Sequence, residues 1–280
     1  MTAVEPHPLN VGFTWEPPSP PFGRLSEEQA ASFDEDGYFV VPHALDRAAV
    51  AALEAEIDPF ERELEDALRR AEGGRVFIAR AGEITFTTHL VARSPHLRRF
   101  VSGEPMLGIC ADLLGPDVRL YWDQAVYKKP GTAAPFPWHQ DNGYAFVDPQ
   151  QYLTFWIALT DATEENGCPW VVPGLHRLGT LAHRATETGL VCGDGGRPAR
   201  PVPVAAGGIV VLSSLTPHCT GPNRTDRVRK AYIVQYAPEG AAVIRTGPAR
   251  KLEREPADDP DRQFPVLAGG RPATTDELER

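Results

Sequence analysis

The chain has 280 residues, apolar and charged fractions of 42% and 24%, and a formal net charge of −10. A chain of that length buries a full core without disulfides, and an acidic balance with no long basic run excludes a nucleic-acid footprint. No apolar run approaches the ~18 residues of a membrane span, so no membrane partner is expected either.

The opening stretch MTAVEPHPLNVGFTWEPPSPP has neither a basic start nor an apolar core, so no secretion signal is expected and the cytoplasm is the expected compartment. Its prolines predict an extended arm over residues 1–23, either draped or loose. SEEQAASFDEDG then predicts a short helix, with Ser26 as cap, Gln29 reaching back to it and Gly37 as the stop. GYFVVP reads as a short strand. A second helix is expected from Asp46, because Leu53, Ile57, Phe60, Leu64 and Leu68 recur three and four apart as one apolar stripe. Pro59 falls inside that stripe and predicts a kink or break near Asp58. RVFIAR and EITFTTHL read as strands, and PMLGICADLLG as a helix ended by Gly115.

From residue 117 the pattern changes. DVRLYWDQAVYKK, YLTFWIALT, PWVVPG, GIVVLSS and VRKAYIVQYAP are strand-like runs separated by turn residues, and the Asn-Gly of EENGCPW suits a tight hairpin. Residues 186–208 read as a long loop, a candidate lid. After residue 247 the composition turns polar and predicts a tail over 248–280. The cysteines, Cys110, Cys168, Cys192 and Cys219, form no C-x-x-C and read as free thiols. Helices first and antiparallel strands afterwards predict one α+β domain over 24–247, with N-terminal helices buttressing a two-sheet jelly roll.

One stretch carries most of the chemistry. In PWHQDNGY, His139 and Asp141 lie two apart, and two apart on a strand means one face. Alone, such a pair is either two metal ligands or a polar strand edge. A second imidazole would complete a 2-His-1-carboxylate set suited to non-haem Fe(II). His218, in GGIVVLSSLTPHCTGPN, follows an apolar strand and a turn, where a returning strand presents a third ligand. On the next strand, Arg229 offers a planar fork for a carboxylate, with Arg227 competing for that role.

At these residues the sequence resembles the phytanoyl-CoA dioxygenase family of Fe(II)/2-oxoglutarate-dependent oxygenases. FDEDGYFVVPHAL, YKKPGTAAPFPWHQD, LTFWIALTDATEENGCPWVVPGLHRLGTLAH and SSLTPHCTGPNRTDRVRKAYIVQYAP carry the likeness over roughly residues 33–240. It implies a double-stranded β-helix (jelly-roll, cupin-like) core, and Fe(II) held by His139, Asp141 and His218. It also implies 2-oxoglutarate held by Arg229, with Thr220, Trp156 and Lys128 around it, Lys129 leaving the lysine's register open. The reaction it implies consumes O2 and 2-oxoglutarate, yields succinate and CO2, and hydroxylates a small or mid-sized organic molecule. Retention of Asp141 favours hydroxylation over halogenation. His176 is expected to be structural, and His89 and His183 not to be ligands. Asn142, Tyr144, Phe146, Phe86 and Thr88 are the expected substrate contacts. A non-catalytic jelly-roll binding protein and a cupin-type metalloenzyme without 2-oxoglutarate are the alternatives.

Overall fold

The computed structural model describes residues 4–246 and 251–273, so the first three residues of the expected arm and parts of the expected tail lie outside the described residues. Two of the four antiparallel sheets among the described residues face each other across the barrel, and the larger orders Tyr38–Val41, Ile209–Ser213, Leu153–Ala158, Arg229–Pro238, Val118–Lys128 and Ile84–Thr88 side by side. The smaller one orders Arg200–Pro201, Pro169–Val171, His218–Thr220 and Phe136–His139. Such antiparallel pairing of strands far apart in the chain is the jelly-roll pattern, the double-stranded β-helix.

Alternation along the strands divides the core in two. One face of the larger sheet carries Tyr127, Phe155, Ile157, Tyr232 and Val234, packed with helical Phe33, Leu53, Ile57, Leu97 and Met106. The opposite face carries Val126, Trp156, Val210 and Ile233, which pack with Val171 and Phe136 of the smaller sheet inside the barrel.

Helix α1 (Glu27–Asp36) has the expected capping box between Ser26 and Gln29, and Gly37 ends it with φ 82°. A Cβ at Gly37 would meet the His176 ring at 2.6 Å, so both backbone angle and space require glycine. Helix α2 (Arg47–Arg70) runs unbroken through Pro59, against the expected break. Pro59 and Ala55, whose carbonyl loses its helical donor, are both exposed, so the freed carbonyl lies on the solvent side while the opposite face stays packed. That face is less apolar than the stripe implies. Glu61 accepts from Thr85 Oγ1 at 2.9 Å and pairs with Lys129 at 2.5 Å, and Asp58 accepts from Tyr127 Oη at 2.7 Å and Lys230 Nζ at 2.9 Å. Helices α3 (Pro95–Val101), capped by Ser94, and α4 (Met106–Leu114), followed by Gly115, complete the outer layer.

Three other segments differ from expectation. RVFIAR folds as a hairpin of Arg75–Val76 with Ala79–Arg80, turning at Phe77 with φ 51°. The Asn166-Gly167 turn forms, with Gly167 N–H bonded to Thr163 O at 3.1 Å, but the strands on its two sides belong to different sheets. Beyond residue 247, Leu252–Pro256 pairs with Ala242–Thr246, and Pro265–Ala268 pairs with Val118–Lys128. Phe264, Val266 and Leu267 are core residues there, so alternation hidden in a polar composition docks the segment. The N-terminal arm is draped: Pro6 bridges to Leu181, and His7 N–H donates to Thr180 O at 2.8 Å. All four cysteines are free and buried. Among the described residues, no helix is long and apolar enough to cross a membrane.

Asp123 lies on the helix-covered face, accepting from Tyr232 Oη at 2.9 Å and Val91 N–H at 3.2 Å, while its Oδ1 has no partner among the described residues. Burial pushes its carboxyl up to about 6. A raised folded-state value favours the protonated form, so this contribution to stability is fully present below about pH 4 and is lost as pH rises through about 6. Asp123→Asn should therefore raise the melting temperature at pH 8 relative to the native chain, by up to ~3 kcal/mol in stability, with little gain at pH 4.5. Equal shifts at the two pH values, measured by thermal unfolding, would count against this.

Candidate metal and co-substrate site

The smaller sheet sets His218 directly opposite His139 in antiparallel register. The strand ends at His139, and Asp141 opens a short 3-10 turn, Asp141–Gly143, so the two do not share a continuous strand. They still converge. Asp141 Oδ1 lies 3.7 Å from His139 Nε2 and 3.8 Å from His218 Nε2. All three ligand atoms fall within 4.8 Å of one another, a spacing that one metal ion bridges.

Each imidazole is oriented from behind. His139 Nδ1–H donates to Pro137 O at 2.8 Å and His218 Nδ1–H to Thr216 O at 3.0 Å, which leaves both Nε2 lone pairs aimed at the common point. Burial, with His218 beside it, holds His139 well below the usual histidine range, in the neutral form that metals bind. The bend between His139 and Asp141 is bolted down by Gln140. Its Nε2 donates to Gly179 O and Leu215 O, its Oε1 accepts from Leu181 N–H, and its own N–H donates to His183 Nε2 at 3.0 Å. A Cβ on Gly143 would run into the same His183 ring. His183 is thus a brace and not a ligand.

Deeper in the barrel, Arg229 and Lys128 face each other across paired strands, and Lys129 and Lys230 point outward to helix α2. This separates Lys128 from Lys129: consecutive residues of an extended chain point to opposite sides. Arg227 is exposed, whereas Arg229 is fully buried. Among the described residues its Nε and Nη2 have no partner, and Nη1 makes only a long contact of 3.4 Å to Val126 O. The two unpaired atoms share one edge of the guanidinium plane, the edge that grips a carboxylate. Trp156 lies beside it, with Arg229 Cζ 5.2 Å from the ring centroid. Burial lowers the Arg229 guanidinium to about 10, still charged at neutral pH, and burial next to Arg229 pulls Lys128 down to about 7. Lys128 Nζ donates to Thr220 Oγ1 at 3.1 Å and to the carbonyls of Thr220 and Gly221, so it clamps the strand that carries His218.

The expected substrate contacts divide. Tyr144 meets the His139 ring edge-on at 5.3 Å, and Phe86 reaches the same wall through Phe136, which lies 5.3 Å from Phe86 and 4.9 Å from His139. Thr88 is exposed at its strand end. Asn142 turns inward instead: fully buried, it accepts from Val147 N–H at 2.8 Å and donates to Thr180 Oγ1 at 2.6 Å, leaving nothing for a ligand. Phe146 is covered by the arm, stacked on His7 at 5.0 Å. His176 is structural, its Nε2–H donating to Asp34 O at 3.0 Å, and burial lowers it to about 4. Sequence reasoning passed over Phe136, Gln140 and Thr154, whose Oγ1 lies 2.5 Å from Asp141 Oδ2. Thr154 stands two before Trp156 on one strand, and that spacing alone placed it on the barrel's inner face.

The expected lid is largely built into the sheets. Arg184–Thr186 and Gly189–Val191 form a hairpin, and Arg200–Pro201 pairs with Pro169–Val171. Cys192 N–H donates to Trp138 O at 2.9 Å, Leu190 N–H donates to Tyr144 Oη at 3.2 Å, and Arg75 Nη2 donates to Glu187 O at 2.7 Å.

This fold has solved counterparts. The 2-oxoglutarate-dependent carbocyclase SnoK from nogalamycin biosynthesis superposes with a TM-score of 0.67 at 27% identity, over 84% of this chain and 94% of that one. The epimerase SnoN, solved with Fe3+, α-ketoglutarate and a nogalamycin ligand, gives 0.63 at 26% identity, over 90% of this chain and 96% of that one. Fold, metal-ligand cluster and unpaired guanidinium define a non-haem iron dioxygenase that uses 2-oxoglutarate and O2. The chain belongs to the phytanoyl-CoA dioxygenase (PhyH) family, whose profile matches residues 33–231. Phytanoyl-CoA dioxygenase 1 of Oryza sativa subsp. japonica is 26% identical over 191 residues, 57% of this chain and 68% of that protein. Across the first four curated relatives the aligned stretch spans between 40% and 68% of the relative's own length.

Gly189 has φ 135°, and a Cβ there would lie 2.5 Å from Tyr144 Oη. Gly189→Ala should release the 184–191 hairpin from Tyr144 and speed its amide hydrogen exchange roughly tenfold, the effect of ~1.4 kcal/mol of strain. Unchanged exchange in that segment would show that the hairpin is held some other way.

Proposed function

We propose that the enzyme hydroxylates an unactivated C–H bond of a small or mid-sized organic substrate in secondary metabolism, with succinate and CO2 as co-products. In this reading His139, Asp141 and His218 hold the iron. Arg229 grips the distal carboxylate of 2-oxoglutarate. The observation that carries the proposal is the edge of Arg229, fully buried with Nε and Nη2 unpaired. A buried cation without a partner is costly, and an incoming carboxylate supplies the two missing acceptors. A binding protein of the same fold has no need of it.

When bound, iron with 2-oxoglutarate supplies an oxidant able to attack a C–H bond. The chain's own part is positional. Trp156 lies under the Arg229 fork, with Cζ 5.2 Å from the ring centroid, and gives the cation an aromatic neighbour. Lys128 holds Thr220 and Gly221, and so fixes the register of the His218 strand while adding positive charge for a dianion. The aromatic wall of Phe86, Phe136 and Tyr144 lies against His139, excludes water from that side and offers ring faces to an organic substrate. Two relatives from nogalamycin biosynthesis support the secondary-metabolic setting.

Arg229→Met should lower kcat/KM for 2-oxoglutarate, followed as succinate release, by about 100-fold or more, since one partner of a buried charge pair is lost. Arg229→Lys should recover only part of it, because an ammonium has no fork. The melting temperature of the metal-free Met variant should be unchanged or higher, since an unpaired buried charge has been removed. A less stable variant with native 2-oxoglutarate kinetics would contradict this role.

A further inference from the structure

Asp141 presents two unequal oxygens. Oδ1 faces both imidazoles at 3.7 and 3.8 Å, and Oδ2 is held by Thr154 Oγ1 at 2.5 Å. Thr154 is in turn contacted by Gln235 Nε2 at 3.2 Å, and the two residues are direct cross-strand partners on neighbouring strands of the larger sheet. Both are buried. A carboxylate has no proton to give, so at that distance the threonine hydroxyl donates to Asp141. Its lone pairs then face Gln235, whose amide must present NH2 and not its oxygen. The direction of every bond in the chain Gln235→Thr154→Asp141 is therefore fixed by chemistry.

We propose that Thr154, backed by Gln235, is the positioning residue that keeps Asp141 a one-oxygen ligand. The inference rests on the iron reading of His139, Asp141 and His218. A free carboxylate beside a cation can turn both oxygens toward it and fill two positions. With Oδ2 committed to Thr154, His139, Asp141 and His218 would each give a bound iron one donor atom, which would leave the rest of its coordination shell to a chelating 2-oxo acid and O2. The count of open positions is thus set outside the ligands themselves, by a hydroxyl on the opposite sheet. Loss of Thr154 would let Asp141 rotate among several orientations, which gives up the prearranged ligand set that favours binding and lets the second oxygen close a position.

The test uses the full chain, loaded anaerobically with Fe(II) alone, with iron affinity read by chelator competition. The EPR signal of the nitric oxide adduct in the presence of 2-oxoglutarate reports the coordination set. Thr154→Val, which removes the hydroxyl and keeps the shape, should weaken Fe(II) binding about 10- to 100-fold and alter the EPR signal. Thr154→Ser should restore both, and Gln235→Leu should shift both in the direction of the valine variant by less. Metal-free melting temperatures separate positioning from packing, since a packing role would move these and leave iron affinity alone. Native iron affinity and a native EPR signal in Thr154→Val, alongside loss of iron in Asp141→Ala, would overturn the proposal. Native iron affinity in Asp141→Ala would instead remove the iron reading on which it stands.

Discussion

Antiparallel pairing of His218–Thr220 with Phe136–His139 is the constraint from which the rest of the site follows. It brings two imidazoles from distant parts of the chain to opposite positions, with ring centroids 4.2 Å apart. Neither ring is free to turn, because each Nδ1–H is tied to a backbone carbonyl two residues upstream. Asp141 then needs only a bend to complete the set, and Gln140 holds that bend through both ends of its amide. Metal ligation is thereby prepared by backbone register before any ion is present.

A second organising feature is the sorting of cations by strand alternation. Lys129 and Lys230 face helix α2 and meet Glu61, Glu54 and Asp58. Their neighbours Lys128 and Arg229 face the barrel, where no carboxylate awaits them among the described residues. The outer pairs anchor the helical layer, and the inner pair leaves the Arg229 charge without a carboxylate on the side of the sheet that faces the barrel. This is a local conflict with folding rules, and such conflicts mark functional sites.

Much of this was legible in the sequence, for identifiable reasons. Capping residues act locally, so Ser26, Gln29 and Gly37 announced helix α1 directly. The convergence of His139, Asp141 and His218 and the burial of Arg229 were legible because few side chains are suited to metals or anions and their order along the chain was informative. What escaped depended on tertiary partners. Pro59 is tolerated because its face of α2 meets water, and Asn142 is claimed by Val147 and Thr180. The segment after residue 247 has too few apolar residues to look like strands, yet Phe264, Val266 and Leu267 lock it to the larger sheet. Thr154 had no motif; its spacing from Trp156 gave its face, and its distance to Asp141 shows what it touches there.

The central claim is that one ferrous ion and 2-oxoglutarate meet at His139, Asp141 and His218. The most direct test adds 2-oxoglutarate anaerobically to the iron-loaded chain and follows visible absorption, with His218→Ala alongside. The account predicts the weak charge-transfer band of a 2-oxo acid chelated to Fe(II) in the native chain, and its loss in the variant. Stoichiometric iron in the native chain with no band at saturating 2-oxoglutarate would contradict it.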